Sequence, residues 1–113
     1  MDDQPAPWEI DVHSVKQMLD EKRVFLFVDC RELDEHEFCR IPGARLLPIK
    51  QMNAWLPDIQ EFRSQPIVIH CHTGRRSLNL AKSLRQLGFS QAQSVKGGIQ
   101  AWSDEIDPSV PVY

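Results

Sequence analysis

Two stretches of the chain are apolar at consecutive positions, Val24-Phe25-Leu26-Phe27-Val28 and Ile67-Val68-Ile69. A strand with one solvated face alternates apolar and polar residues. A strand covered on both faces does not, so these runs predict two buried strands. Three weaker patterns add short strands at Trp8-Glu9-Ile10, Arg45-Leu46-Leu47 and Ala92 to Val95. Between them the period changes. Val12, Val15, Met18 and Leu19 fall on one stripe of a helix that Asp11 or Ser14 is placed to cap. Asp34 to Phe38 reads as a short, acid-started helical turn, and Gln51 to Gln60 as a helix interrupted by Pro57. Ser77 to Leu87 is a helix closed by Gly88, a residue suited to the left-handed turn past a helix end. Gly97-Gly98 opens a last helix through Ile99, Ala101 and Trp102.

Strands alternating with helices through short connections imply an α/β fold. The expectation is a central, mainly parallel sheet of about five strands with helices on both faces. One domain over residues 8–106 accounts for the elements, with a flexible N-terminal tail at 1–7 and a C-terminal tail at 107–113. There is no internal repeat or low-complexity block. A chain of 113 residues can build one core without disulfides or a structural metal.

Composition narrows the classes of function. The chain is 42% hydrophobic and 26% charged, with a formal charge of −3. That balance argues against a nucleic-acid footprint, which requires a basic face. No apolar run approaches a membrane span. The acidic Met1-Asp2-Asp3-Gln4-Pro5 start does not resemble a secretory signal, so a cytoplasmic location is the default expectation. Three cysteines suit a reducing compartment better than a disulfide framework.

One of those thiols stands in a distinctive place. Cys71 follows the second buried strand and precedes a helix, with Arg75 and Arg76 beside it. Parallel sheets place their sites at the carboxyl ends of strands. Helix N-termini and guanidinium groups both favour a thiolate, moving a cysteine that ordinarily titrates near 8.5 to below about 7. Gly74 lets the loop take backbone angles closed to other residues, so that the N–H groups of Cys71 to Ser77 can converge as an anion-binding nest. Such a bowl serves two chemistries: attack on a phosphate ester, or transfer of a sulfur atom held as a persulfide. Loop length separates them. Cysteine phosphatases use Cys-X5-Arg, whereas here Arg76 follows after four residues and Ser77 holds the Cys-X5 position. The smaller bowl suits a single sulfur.

Four segments together extend the picture to the whole chain: Val28-Asp29-Cys30-Arg31, Ile41-Pro42-Gly43-Ala44, Cys71-His72-Thr73-Gly74-Arg75-Arg76-Ser77 and Gly97-Gly98-Ile99-Gln100-Ala101-Trp102. In this order they resemble a rhodanese-homology domain. Trp102 to Tyr113 also resembles rhodanese modules appended to sulfur-activating enzymes of cofactor biosynthesis. The resemblance implies a rhodanese-type sulfurtransferase. It would move a sulfane sulfur from thiosulfate or another persulfide donor to cyanide, a thiol or a protein acceptor. Cys71 would be the nucleophile that holds the sulfur. His72, Thr73, Gly74, Arg75 and Ser77 would form the loop. Arg76 would support that loop or bind the anionic donor. Asp29 and Arg31 would brace the site as an ion pair. No metal, organic cofactor, nucleic acid or membrane is implied. The competing expectations are a non-enzymatic sulfur-relay module and, disfavoured by the short loop, a small cysteine phosphatase or arsenate reductase.

The remaining candidates read as structural. Cys30 stands where the family usually has a small or β-branched residue, and Cys39-Arg40 replaces the more frequent Gly-His. Both thiols are expected to pack without touching the nucleophile, and the alternative for Cys39 is a second, resolving thiol near the site. Zinc is not expected, because eight residues separate Cys30 from Cys39. His70 is read as a strand-end residue with its ring hydrogen-bonded, and His72 as either facing the mouth or solvated. His13 and His36 are read as surface residues. Trp8, Trp55 and Trp102 are read as packing groups, and Gly97-Gly98 as a strand-to-helix turn rather than a phosphate loop.

Overall fold

The computed structural model describes residues 6–113, and the first five residues of the tail expected over 1–7 lie outside them. The chain runs β1 (Glu9–Ile10), α1 (Val12–Asp20), β2 (Leu26–Asp29), α2 (Leu33–Phe38), β3 (Arg45–Leu46), α3 (Met52–Trp55), β4 (Ile67–His70), α4 (Arg75–Gln86), β5 (Ala92–Val95) and α5 (Gly98–Glu105). All strand pairs are parallel, and the order across the sheet is β1-β5-β4-β2-β3. The expected five-stranded α/β sheet is therefore present.

The two consecutive apolar runs form the middle of the sheet. Every residue of β2 and β4 is buried. Their side chains alternate between two cores. Leu26, Val28, Ile67 and Ile69 pack with Trp55, Ile59, Leu80 and Leu84 from α3, the turn after it and α4. Phe27 and Val68 pack on the other face with Val12, Val15, Ile99 and Trp102 from α1 and α5. Burying each such aliphatic side chain stabilises the fold by roughly 1.5–3 kcal/mol. Neither run tolerates a polar residue in mid-strand, because both faces are dry.

Three boundaries differ from the sequence pattern, each for a local reason. Val24 is exposed and precedes the strand, because pairing begins only where Leu26 N–H donates to the Pro66 carbonyl (3.0 Å). The helix expected over Gln51–Gln60 breaks into a 3₁₀ turn at Ile49–Gln51, the single turn of α3 and a second 3₁₀ stretch at Leu56–Phe62. Pro57 supplies no N–H there, so the α-helical ladder stops. Helix α4 begins at Arg75, two residues before the expected start. Gly74, at φ 107°, turns the chain into it and leaves both arginines in its first turn.

The segment after α5 does not behave as a tail. Val110 is buried in the core beside α1 and α5, and its carbonyl accepts from Ser103 Oγ (2.6 Å). That anchor carries the chain across the molecule and leaves Tyr113 against the carboxyl ends of the strands.

Candidate active site

Cys71 follows the last residue of β4 and is 1% exposed. Three donors surround its sulfur. The Gly74 N–H donates to Sγ at 3.1 Å and the Ser77 N–H at 3.4 Å, while Ser77 Oγ lies 3.3 Å away. Ser77 Oγ is in turn 2.7 Å from Ser94 Oγ, and the single Ser94 hydroxyl proton has two acceptors in reach, Ser77 Oγ and, at 3.4 Å, the Gly74 carbonyl. Hydrogen bonds aimed at a sulfur favour negative charge on it. They come here from the first turn of a helix, whose dipole acts in the same sense.

The loop keeps its shape because another helix grips its backbone. The Ile99 and Gln100 N–H groups at the start of α5 donate to the Cys71 and His72 carbonyls, at 2.9 and 3.1 Å. Gly97-Gly98 is thus a strand-to-helix turn, and it also brings α5 against the loop. Gly98 has φ 59°, and a Cβ there would lie 2.5 Å from the His72 carbonyl oxygen. The close backbone approach requires glycine.

Arg76 and Arg75 separate in role. Arg76 is held in a fork by Glu35 of α2, with N–O distances of 2.8 and 2.9 Å. The Arg76 bonds hold the Glu35 carboxyl at about 2, despite partial burial. The fork ties the first turn of α4 to α2. Arg75 and Thr73 are exposed beside the loop. A cation in the first turn of a helix opposes the helix dipole by roughly 0.3–1 kcal/mol. Glu35 compensates Arg76, whereas the exposed Arg75 has no ion-pair partner among the described residues.

The Asp29–Arg31 pair lies beneath the site with both side chains 0% exposed. Arg31 Nε and Nη2 donate to the two Asp29 oxygens at 2.9 and 2.8 Å, and Nη2 also donates to the Cys39 carbonyl at 2.6 Å. Burial opposes ionisation of Asp29, yet the Arg31 and His36 bonds outweigh it and hold the carboxyl below its ordinary value. Contrary to the expectation of a surface residue, His36 belongs to this cluster. Its ring is 12% exposed and its Nδ1 is 2.8 Å from Asp29 Oδ2. His13 is exposed and pairs with Glu105 (3.1 Å). His70 is wholly buried, its Nδ1 3.4 Å from the Cys71 carbonyl and its Nε2 without a hydrogen bond. Burial pushes its pKa down to about 4.

Tyr113 joins these parts. Its ring stacks on His72 at 3.9 Å, nearly coplanar. Its hydroxyl accepts from Arg31 (2.9 Å) and donates to Glu35 (2.7 Å). His72 is half-buried, with the tyrosine stacked on one face of its ring. Glu35, His36, Ser94 and Tyr113 were absent from the expected site. Only Ser94 had a legible signal, as a hydroxyl at the centre of a short buried strand.

The other two thiols part company. Cys39 is buried in the core shared with α1 and α5, across the sheet from Cys71. Cys30 is buried in the same core as Cys71. The ladder pairs Val28 with Ile69 and Asp29 with His70, and the Cys30 N–H donates to the His70 carbonyl (3.1 Å). One step further, Cys30 and Cys71 stand abreast on one face. Cys30 packs in the core as expected, and the parallel register sets it on the same face as the nucleophile. Among the described residues no three His, Cys, Asp or Glu side chains gather as a metal site. Among the described residues no helix is long and apolar enough to cross a membrane.

The Rhodanese-like domain family model matches residues 11–105. The chain is 34% identical over 108 residues to the Rhodanese-like/PpiC domain-containing protein 12, chloroplastic, of Arabidopsis thaliana, which covers 91% of this chain and 35% of that protein. It is 26% identical over 114 residues to the adenylyltransferase and sulfurtransferase MOCS3-2 of Zea mays, covering 96% of this chain and 24% of that protein. The chain thus spans about a quarter to a third of these relatives. Among solved structures, a rhodanese-related protein from Thermoplasma volcanium superposes with a TM-score of 0.77 at 25% identity, covering 95% of this chain and 100% of that one.

Proposed function

The chain belongs to the Rhodanese-like domain family, and from that premise we propose that it is a sulfurtransferase carrying a sulfane sulfur on Cys71. The observation that carries the proposal is the cage of donors on Cys71 Sγ at the floor of a four-residue loop. The Cys71 thiolate attacks the outer sulfur of thiosulfate, the sulfur–sulfur bond breaks, and sulfite leaves with its electron pair. Cys71 then holds the transferred atom as a persulfide. A thiol, cyanide or a protein acceptor attacks that outer sulfur and restores the thiolate.

The surrounding residues divide the work. The loop amides and the Ser77 hydroxyl stabilise negative charge on sulfur. The exposed Arg75 attracts the anionic donor, and Thr73 and His72 line its approach. Arg76 acts as a positioning residue through Glu35, and Asp29 and Arg31 brace the floor. Because Glu35 occupies the Arg76 fork, that guanidinium is not free to hold a phosphoryl group, which weighs against phosphatase chemistry. Three free thiols suit a reducing compartment such as the cytoplasm.

Thiocyanate formation from thiosulfate and cyanide tests the proposal. The wild-type protein is expected to turn over, and Cys71→Ser to lose at least about 10³-fold, the scale set by removing a nucleophile. An unchanged rate in Cys71→Ser defeats it. Negligible thiosulfate turnover, combined with one sulfur atom gained from a persulfide-loaded protein donor, would instead mark a sulfur-relay module.

A further inference from the structure

Cys30 has no part in the transfer just described, yet it is the nearest thiol that the sheet register offers to Cys71. Side chains at Leu26, Val28 and Cys30 share one face with those at Ile67, Ile69 and Cys71. The ladder fixes Val28 opposite Ile69 and Asp29 opposite His70, and the Cys30 N–H bond to the His70 carbonyl continues it past the strand ends. Neighbouring strands lie about 4.8 Å apart, inside the roughly 4.4–6.8 Å Cα separation that a disulfide spans. Cys30 is completely buried, so no solvent thiol competes for its place.

We propose that Cys30 is a resolving thiol, which closes a Cys30–Cys71 disulfide once the Cys71 sulfur carries a leaving group. The inference in its first form rests on the sulfurtransferase reading. The Cys30 sulfur attacks Cys71 Sγ of the persulfide, the bond from Sγ to the outer sulfur breaks, and the outer atom leaves with the electron pair as hydrosulfide. It takes up the thiol proton and departs as hydrogen sulfide. The sulfane sulfur gains two electrons and the two cysteine sulfurs give one each, so no outside oxidant is needed. The second form is independent of that reading. A hydroperoxide oxidises the Cys71 thiolate to a sulfenic acid, releasing hydroxide or an alkoxide. Cys30 then displaces the sulfenic oxygen as water.

The environment explains why Cys30 waits. Burial first, and then the negative charges of Cys71 and Asp29, push the Cys30 thiol up. While Cys71 is an anion, Cys30 stays protonated and inert. When Cys71 forms a bond to sulfur or oxygen its charge leaves Sγ, and one of the restraints on Cys30 is lifted. Cys39 cannot substitute, because it faces the opposite core.

The test has two arms, each read by intact mass and by mapping of disulfide-linked peptides after alkylation. In the first, the protein is loaded with thiosulfate, freed of donor and incubated. Wild type is expected to lose its added sulfur, release one equivalent of sulfide and end two hydrogens lighter than the dithiol, with the Cys30 and Cys71 peptides joined. Cys30→Val is expected to keep the added sulfur on the order of tenfold longer. In the second arm the unloaded protein meets hydrogen peroxide, and the same linked peptide is expected. If thiosulfate adds no sulfur, the donor in the sulfurtransferase reading fails and the peroxide arm alone decides. Peroxide that yields only higher oxides of Cys71, or a link through Cys39, overturns the inference. Wild-type peptide mapping decides even if Cys30→Val fails to fold.

Discussion

At Gly98 a methyl group would meet the His72 carbonyl oxygen at 2.5 Å and the Cys71 carbonyl oxygen at 2.6 Å. Both contacts are to backbone, so neither neighbour can rotate away. The residue also sits at φ 59°, where a non-glycine costs of order 1–3 kcal/mol. Gly98→Ala is therefore expected to lose more than about 2 kcal/mol, read as a lower denaturant midpoint, and to slow sulfur loading of Cys71 by shifting the loop. Gly74 differs. A Cβ there would lie 3.3 Å from the Gly97 nitrogen, and its constraint is chiefly the φ of 107°. Single residues also show which signals the chain displays openly. Cys71 was legible as a nucleophile because strand, cysteine, glycine and helix are adjacent in sequence. Glu35 was not, because its partner Arg76 is 41 positions away and a glutamate in an exposed short helix resembles any other.

Among the elements, α5 and the segment after it do more than close the fold. The first turn of α5 holds two loop carbonyls, and the following chain returns through Val110 to deliver Tyr113. Tyr113 then ties Arg31 to Glu35 and covers His72. Burial and the nearby Glu35 charge raise its hydroxyl to about 12, so it stays a neutral donor to that carboxylate at physiological pH. Tyr113→Phe keeps the stack and loses only the hydroxyl bonds, an expected cost of about 1 kcal/mol. Tyr113→Ala also removes the stack and is expected to cost about 2 kcal/mol or more, with faster alkylation of the site's cysteine. Equal denaturation midpoints for the two variants would remove the stack from this account. None of this was visible in the pattern of residues 107–113, where two prolines and polar positions read as a tail.

Across the whole molecule, the sheet separates two environments at its carboxyl edge. Cys71 and Cys30 face the α4 core, whereas Asp29 and His70 point to the other side. The buried His70 stays neutral, its pKa lowered from an ordinary 6.5 to about 4. Between those values the unfolded chain takes up a proton that the folded protein refuses. Stability is therefore expected to fall by about 3 kcal/mol as pH drops from 6.5 towards 4, and this contribution levels off below 4. Asp29 and Glu35, both held below their ordinary values, add losses of the same sign at lower pH. Denaturant midpoints across pH 7 to 4 measure the slope, and His70→Gln is expected to flatten the part above 4. An unchanged slope in His70→Gln would assign the acid sensitivity elsewhere.

The linear chain by itself determined the layers of this fold and the place of its nucleophile. Periodicity reports burial on one or both faces, and a turn's chemistry is local, so β2, β4, α1, α4 and the Cys71 loop were all legible. Tertiary structure alone decided the company that nucleophile keeps. Cys30 comes alongside it through the register of two strands whose pairing no local pattern specifies. Glu35 and Tyr113 arrive from other elements because parallel strands bring distant segments to a common edge. Those groups act through distances of about 3 Å, and distances between remote positions exist only once the sheet has formed.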